Sequence, residues 1–253
     1  MLGYNEKMTK TNQTLFISDL HLDASQPGIA AQFLQLLNNT DSSVDALYVL
    51  GDLFEAWIGD DDNNPFHQQI IHALKAATDR GLPIYFLPGN RDFLIGEKFL
   101  RETGCQLLAD ETLIDLYHTP VLLMHGDTLC TRDTAYLRSR KILRHPFTRK
   151  LFLLLPLMIR KKIADNMRAA SMKHTSSATT DIMDVTKEAV DAVLKKHQAH
   201  FLIHGHTHIP GTHHSTIGDQ PVVRMVLPAW HTKGSVLSWD AAHHIQMRDI
   251  LPL

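Results

Sequence analysis

Short apolar runs that break off at polar residues recur along this chain. They are LFISDLH (15–21), ALYVLGD (46–52), IYFLPGN (84–90), VLLMHGD (121–127) and FLIHGH (201–206). Each has the length and continuity of a strand buried on both faces, not the spacing of a one-sided helix. Between the first three lie IAAQFLQLLNN (29–39) and HQQIIHALKAATDR (67–80), whose apolar positions recur at helical spacing. Strand, helix, strand, helix, strand predicts an α/β architecture. PVVRMVL (221–227) and GSVLSWD (234–240) are expected to complete a second sheet. With 253 residues, 44% of them hydrophobic, and no internal repeat, the chain reads as a single domain over residues 1–253 with one insertion.

The residues that end the runs are chemically alike. Asp19 and His21 stand two apart, Asp52, Asn90 and His125 close the next three runs, and His206 and His208 form a second two-apart pair. In extended backbone a two-residue spacing puts side chains on one face. Open α/β sheets gather their sites at the strand ends. Seven oxygen and nitrogen ligands exceed what one small ion takes, but they suit two transition metals with Asp52 shared between them. Carboxylate, amide and imidazole without sulfur favour Mn²⁺, Fe²⁺ or Zn²⁺. Such a pair activates water and clamps a displacement at phosphorus, so hydrolysis of a phosphoester or pyrophosphate is the chemistry indicated. Any one of these short motifs is more often a turn or a helix cap; the ordered set of five carries the reading. His204, on the apolar run's own alternation, reads as a packed histidine, and His213, His214, His243 and His244 as ordinary surface or strand residues.

Net charge is −2, which gives no global attraction to nucleic acid or anionic lipid. The distribution is uneven, however: between residues 132 and 173 twelve Lys or Arg face two Asp. Inside that stretch LFLLLPLMI (151–159) is flanked by Arg149, Lys150, Arg160, Lys161 and Lys162. Nine apolar residues do not cross a bilayer, but they can dip into one face while the cations meet anionic lipid. A helical hairpin packed on the core is the plainer alternative. Pro156 predicts two short helices there instead of one. Cys105 and Cys130 are too few for a disulfide framework, and MLGYNEKMTKTNQ lacks the apolar core of a secretory signal; Met8 is an alternative start. A cytoplasmic location is expected.

The blocks DLH, GDL, GNRD, HGD and GHTH, spread over residues 15–208, resemble the calcineurin-like metallophosphoesterase family. That resemblance implies a two-sheet α/β/β/α sandwich with a dinuclear metal site. FISDLHLDASQPG, GDLFEAWIGDDD, FLPGNRDFLIG, HGDTLCTRDTAY, SMKHTSSATTDIMDV and IHGHTHIP resemble, within that family, the pyrophosphohydrolases of lipid A biosynthesis. The implied substrate is an acylated UDP-sugar, UDP-2,3-diacylglucosamine, cleaved to UMP and lipid X by a metal-activated water attacking the α-phosphorus.

The resemblance also implies two Mn²⁺ ions per chain. Asp19, His21, Asp52 and His208 would hold one, and Asp52, Asn90, His125 and His206 the other. Asn90, Arg91 and His125 would take part in catalysis, and Asn90, Arg91, Asp133, Ser171, Thr175, Ala178 and His206 would contact substrate. A helical cap insertion at about residues 134–180 and a peripheral place on the cytoplasmic face of the inner membrane complete the expectation, with no nucleic acid and no obligate protein partner. Arg91, beside Asn90, is placed to meet a phosphate oxygen; the alternative is an ion pair with Asp92. The chain departs from the family pattern at Thr175–Ala178, where a basic residue is expected at Ala178, and at Arg132, where an acidic one is expected.

Two other readings remain at this stage. A nucleotide phosphodiesterase or nuclease of the same fold would use the basic stretch but leaves LFLLLPLMI unexplained. A non-catalytic scaffold of this fold would not need all seven ligands. The chain has no Gly-x-x-x-x-Gly-Lys-Ser/Thr loop, which argues against an NTPase.

Overall fold

A computed structural model of the chain describes residues 12–177, 182 and 184–250, with the side chains of 172–177 outside that description. The runs form strands β1 (Gln13–Ile17), β2 (Val44–Val49), β3 (Ile84–Phe86), β6 (Thr119–Met124) and β7 (Phe201–His204). Helices α1 (Pro27–Asn39) and α2 (Pro65–Asp79) connect the first three. Each begins two residues before the periodic run because a proline at N1 or N2 needs no hydrogen-bonded N–H there. Asn64 caps α2 by accepting from the Phe66 N–H at 2.9 Å. The short α3 (Glu97–Thr103) follows β3.

Two sheets result. One has six strands in the order β11-β10-β1-β2-β3-β4, including β4 (Gln106–Leu107), β10 (Ser235–Asp240) and β11 (Ile245–Asp249). The other has five in the order β5-β6-β7-β9-β8, with β5 (Glu111–Leu116), β8 (Gly211–Ile217) and β9 (Gln220–Val226). Strand alternation sorts the core into three layers. Leu15 and Ile17 pack toward the α1–α3 side, whereas Phe16 lies between the sheets with Leu50, Leu123, Ile203 and Trp239. Leu122 and Met124 face outward onto α7 (Lys187–His197) through Val190 and Leu194. The order of layers is helix, sheet, sheet, helix.

One expectation fails here. PVVRMVL does join the second sheet as β9, but GSVLSWD becomes β10 and pairs antiparallel with β1, Leu15 opposite Ser238. The loop between them passes from one sheet to the other, tied by the Trp230 N–H to the Asp19 carbonyl at 3.0 Å. In β10, Val236 enters the helix-side core and Leu237 and Trp239 the inter-sheet core, so the strand satisfies burial on both faces only beside β1.

The basic stretch folds as α4 (Thr134–Leu143), α5 (Pro146–Leu153) and α6 (Leu157–Ser177). The break falls at Leu154–Pro156 as expected, but the second helix is long, 21 residues. Among the described residues no helix is long and apolar enough to cross a membrane.

Candidate metal centre

Five strands end at one edge shared by the two sheets, and their terminal residues converge there. They do not converge by the extended geometry that the two-residue spacing predicts. Asp19, His21, Asp52, His206 and His208 all have left-handed backbone, with φ of 56°, 48°, 53°, 70° and 56°. For residues bearing a Cβ this conformation costs about 1–2 kcal/mol each, a strain typical of sites held by their surroundings. After β1, β2 and β7 the chain turns at its chemical residues, and the turn aims the side chains; Asn90 and His125, after β3 and β6, do not share this backbone.

Asp19 is fully buried. Its Oδ2 accepts from the Ser18 hydroxyl at 2.6 Å and the His206 N–H at 2.8 Å. Its Oδ1 is buried without a hydrogen bond, 3.3 Å from His208 Nε2. Gly205 allows this approach, since a Cβ there would overlap Asp19 Oδ2 and the Ser18 hydroxyl. Asp52 Oδ1 accepts from the Arg91 N–H at 2.8 Å, and its Oδ2 lies 3.8 Å from both His21 Nε2 and His125 Nε2. The Asn90 amide oxygen lies 3.0 Å from His125 Nε2 and 3.1 Å from His206 Nδ1. His21 and His208 face each other through their Nε2 atoms at 3.4 Å.

Ligand atoms of Asp19, His21 and His208 all lie within 4.8 Å of one another, as do those of Asp19, Asp52 and His125. All seven expected ligands are therefore brought together. Their outer contacts suit cation binding. His125 donates Nδ1–H to the Leu50 carbonyl at 2.9 Å, which leaves the Nε2 lone pair for the site. His21 Nδ1 stands 3.0 Å from Glu55 Oε2, leaving its Nε2 facing inward likewise. A buried carboxylate oxygen without a partner and imidazole nitrogens aimed at one another fit divalent cations with oxygen and nitrogen ligands.

The electrostatics agree. Burial pushes the Asp19 carboxyl upward, but the surrounding His208, His125 and His21 hold it well below the usual carboxylate range. Burial disfavours the charged form of His21, yet Glu55, Asp52 and Asp19 raise it to about 9. Burial and the neighbouring His125 take His206 down to about 4.

Arg91 does not pair with Asp92. The Asp92 carboxylate accepts from the Leu53 N–H at 2.7 Å and the Gly89 N–H at 2.8 Å, clamping the β2 and β3 loops together. Arg91 Nε is buried without a hydrogen-bond partner. Burial pushes Glu55 upward, but His21 and Arg91 are among the neighbours that hold it low. Asp133 caps α4, its Oδ1 accepting from the Tyr136 N–H at 2.9 Å. Ser171 is half-buried on α6; the side chain of Thr175 and the whole of Ala178 lie outside the described residues. His204 is fully buried, donating Nδ1–H to the Gly205 carbonyl at 2.8 Å and accepting from Arg224 at 3.2 Å, and burial takes it down to about 3. It is a packed residue behind the site.

Sequence reasoning missed Glu55 and Asp127. Asp127 is buried and accepts from the Tyr136 hydroxyl at 2.5 Å and Arg140 Nε at 2.6 Å, tying α4 to the end of β6. Both stand inside the GDLFEAW and HGD blocks, where position beside a ligand was the available signal.

The family model for calcineurin-like phosphoesterases matches residues 13–210. A protein of an Enterobacter species named UDP-2,3-diacylglucosamine hydrolase is 54% identical over 224 residues, covering 88% of this chain and 93% of that one. An Escherichia coli protein of the same name is 53% identical over 228 residues, covering 90% and 95%.

Proposed function

Since the chain belongs to the calcineurin-like phosphoesterase family, we propose that it hydrolyses the pyrophosphate bond of UDP-2,3-diacylglucosamine in lipid A biosynthesis. The observation that carries this reading is the 53–54% identity, over about nine-tenths of the chain, to hydrolases named for that substrate. Water adds to the α-phosphorus while the bond from that phosphorus to the bridging oxygen breaks. The bridging oxygen departs with the sugar phosphate, so the products are UMP and 2,3-diacylglucosamine 1-phosphate, lipid X.

Asp19, His21, Asp52 and His208 would hold one divalent cation, and Asp52, Asn90, His125 and His206 a second, with Mn²⁺ the metal this reading favours. Cations held there would polarise the phosphoryl oxygens and activate the attacking water. Arg91 supplies a guanidinium whose buried Nε lacks a partner, suited to a phosphoryl oxygen as charge develops on it. His125 is held in one tautomer by the Leu50 carbonyl. The leaving group is a phosphate, already a good one, so no dedicated general acid is required. Asn90, Arg91, Asp133, Ser171, Thr175, Ala178 and His206 are the proposed substrate contacts.

Helices α4–α6 form the proposed cap. Leu151, Leu154 and Met158 are exposed there, the last two at 74% and 84%, beside Arg149, Lys150, Lys161 and Lys162. An exposed apolar run with a basic rim supports a peripheral place on an anionic membrane, on the cytoplasmic face of the inner membrane, where an acylated substrate resides. Incubating the Mn²⁺-supplied protein with UDP-2,3-diacylglucosamine and identifying products by mass spectrometry tests the function. UMP with lipid X is the expected pair; UDP with a free sugar, or no turnover, would reject it.

A further inference from the structure

The helices α4 and α5 contain no buried residue, so the apolar run 151–159 is not secured by core packing in the usual way. Partly buried Phe152 touches the helix-side core, and much of the remaining attachment is polar. Arg160, in the first turn of α6, is the exception in burial: only 2% of it is exposed. Its guanidinium donates from Nε to the Leu155 carbonyl at 2.9 Å and from Nη1 to the Ile58 carbonyl at 2.7 Å. Nη1 also donates to Asp61 Oδ1 at 2.8 Å, and Nη2 to Asp61 Oδ2, a forked pair. One side chain thus joins the α5–α6 turn to the loop that follows β2.

That same loop carries Asp52 near its start and then Glu55, 3.0 Å from His21. Gly59, at φ +133°, makes room: a Cβ there would overlap Arg160 Nη1 and come within 2.9 Å of Leu153 Cδ2. The Leu153 methyl therefore rests on the loop where the guanidinium enters it. This junction is one link between the apolar run and the metal edge, beside Arg168 of α6, whose Nη1 lies 3.8 Å from Glu55 Oε1.

We propose that Arg160, with Asp61 and Gly59, is the specificity-determining positioning latch of the enzyme: it holds the acyl-receiving surface at a fixed span from the reacting phosphorus. This rests on the substrate reading above. A substrate with acyl chains uses the span, because binding energy from its chains reaches the reaction only if the cap stays in register. A small phosphodiester occupies only the metal edge and does not use it.

The test compares hydrolysis of UDP-2,3-diacylglucosamine and of bis-p-nitrophenyl phosphate by full-length, Mn²⁺-supplied protein. Arg160→Gln is expected to lower kcat/KM for the acylated substrate by about 10²-fold, mostly through KM, and to leave the small diester within about twofold. Asp61→Asn, which weakens the forked pair without straining the loop at Gly59, is expected to show the same split. If Arg160→Gln fails to fold, Asp61→Asn takes its place, since the Asp61 side chain is 60% exposed and its loss removes the ion pair without a buried hole. Equal losses on both substrates, or none on either, would overturn the latch. A wild-type protein with no preference for the acylated substrate would end the functional reading and the latch with it. A wild-type preference that the variants retain would overturn the latch alone.

Discussion

Asp52 is the residue on which most of the centre converges: one oxygen faces two imidazoles at 3.8 Å while the other accepts the Arg91 N–H at 2.8 Å. Asp52→Ala and His206→Ala should each abolish hydrolysis, with bound metal reduced in elemental analysis and a cooperative unfolding transition retained. Full activity in either variant would exclude that side chain from the centre. Arg91 is proposed to act differently, since its side chain is not among the candidate ligands. Arg91→Ala should lower kcat/KM by roughly 10²–10³-fold, the usual loss for one donor to a developing oxyanion, with metal content unchanged. A near wild-type rate would leave its guanidinium a structural role. The residue types of the centre were legible in the sequence because ligand chemistry restricts them to Asp, His and Asn at strand ends. Glu55 and Asp127 were not: Glu55 stands against His21 and Asp127 holds Tyr136 and Arg140 of α4, and neither contact has a local pattern of its own.

At the scale of elements, α5 and the start of α6 present their apolar side chains outward, with Phe147 70% exposed and Met158 84%. Leu154→Asp with Met158→Asp should therefore change folding stability by no more than about 0.5 kcal/mol, as is usual for exposed positions. The same pair should weaken binding to anionic phospholipid vesicles in a sedimentation assay, and Lys161→Glu with Lys162→Glu should weaken it further at low salt than at high salt. Unchanged vesicle binding in both would count against a membrane-facing cap. The break near Pro156 was readable, because proline removes a helical N–H wherever it stands. The 21-residue length of α6 was not, since its apolar positions follow helical spacing only weakly.

For the whole molecule, the centre joins two sheets: Asp19, His21, Asp52 and Asn90 come from the six-stranded one, and His125, His206 and His208 from the five-stranded one. Cations held there would take ligands from both sheets and would add stability by mass action. Removing divalent ions with a chelator should then lower Tm by several degrees, since about 2.7 kcal/mol accompanies saturation at a hundredfold over Kd. Re-addition of Mn²⁺ should restore both Tm and activity. A chelator-insensitive Tm with undiminished turnover would speak against a metal centre between the sheets.

The sequence by itself determined the α/β alternation, the polar residues that end the strands and the residue types that make the candidate metal-binding edge. Those follow from short-range physics: burial sets the runs, and ligand chemistry limits what can end them. Tertiary structure decided what depends on partners distant in the chain. It placed β10 beside β1, because only there are both faces of Val236–Trp239 buried. It turned Asp19, His21, Asp52, His206 and His208 into left-handed backbone, a strained state that local preference disfavours and that contacts such as Asp19 with the His206 N–H sustain. It also buried Arg160 against Asp61, 99 residues away in sequence, a pairing that no local charge pattern encodes because opposite charges are plentiful and only the fold chooses between them.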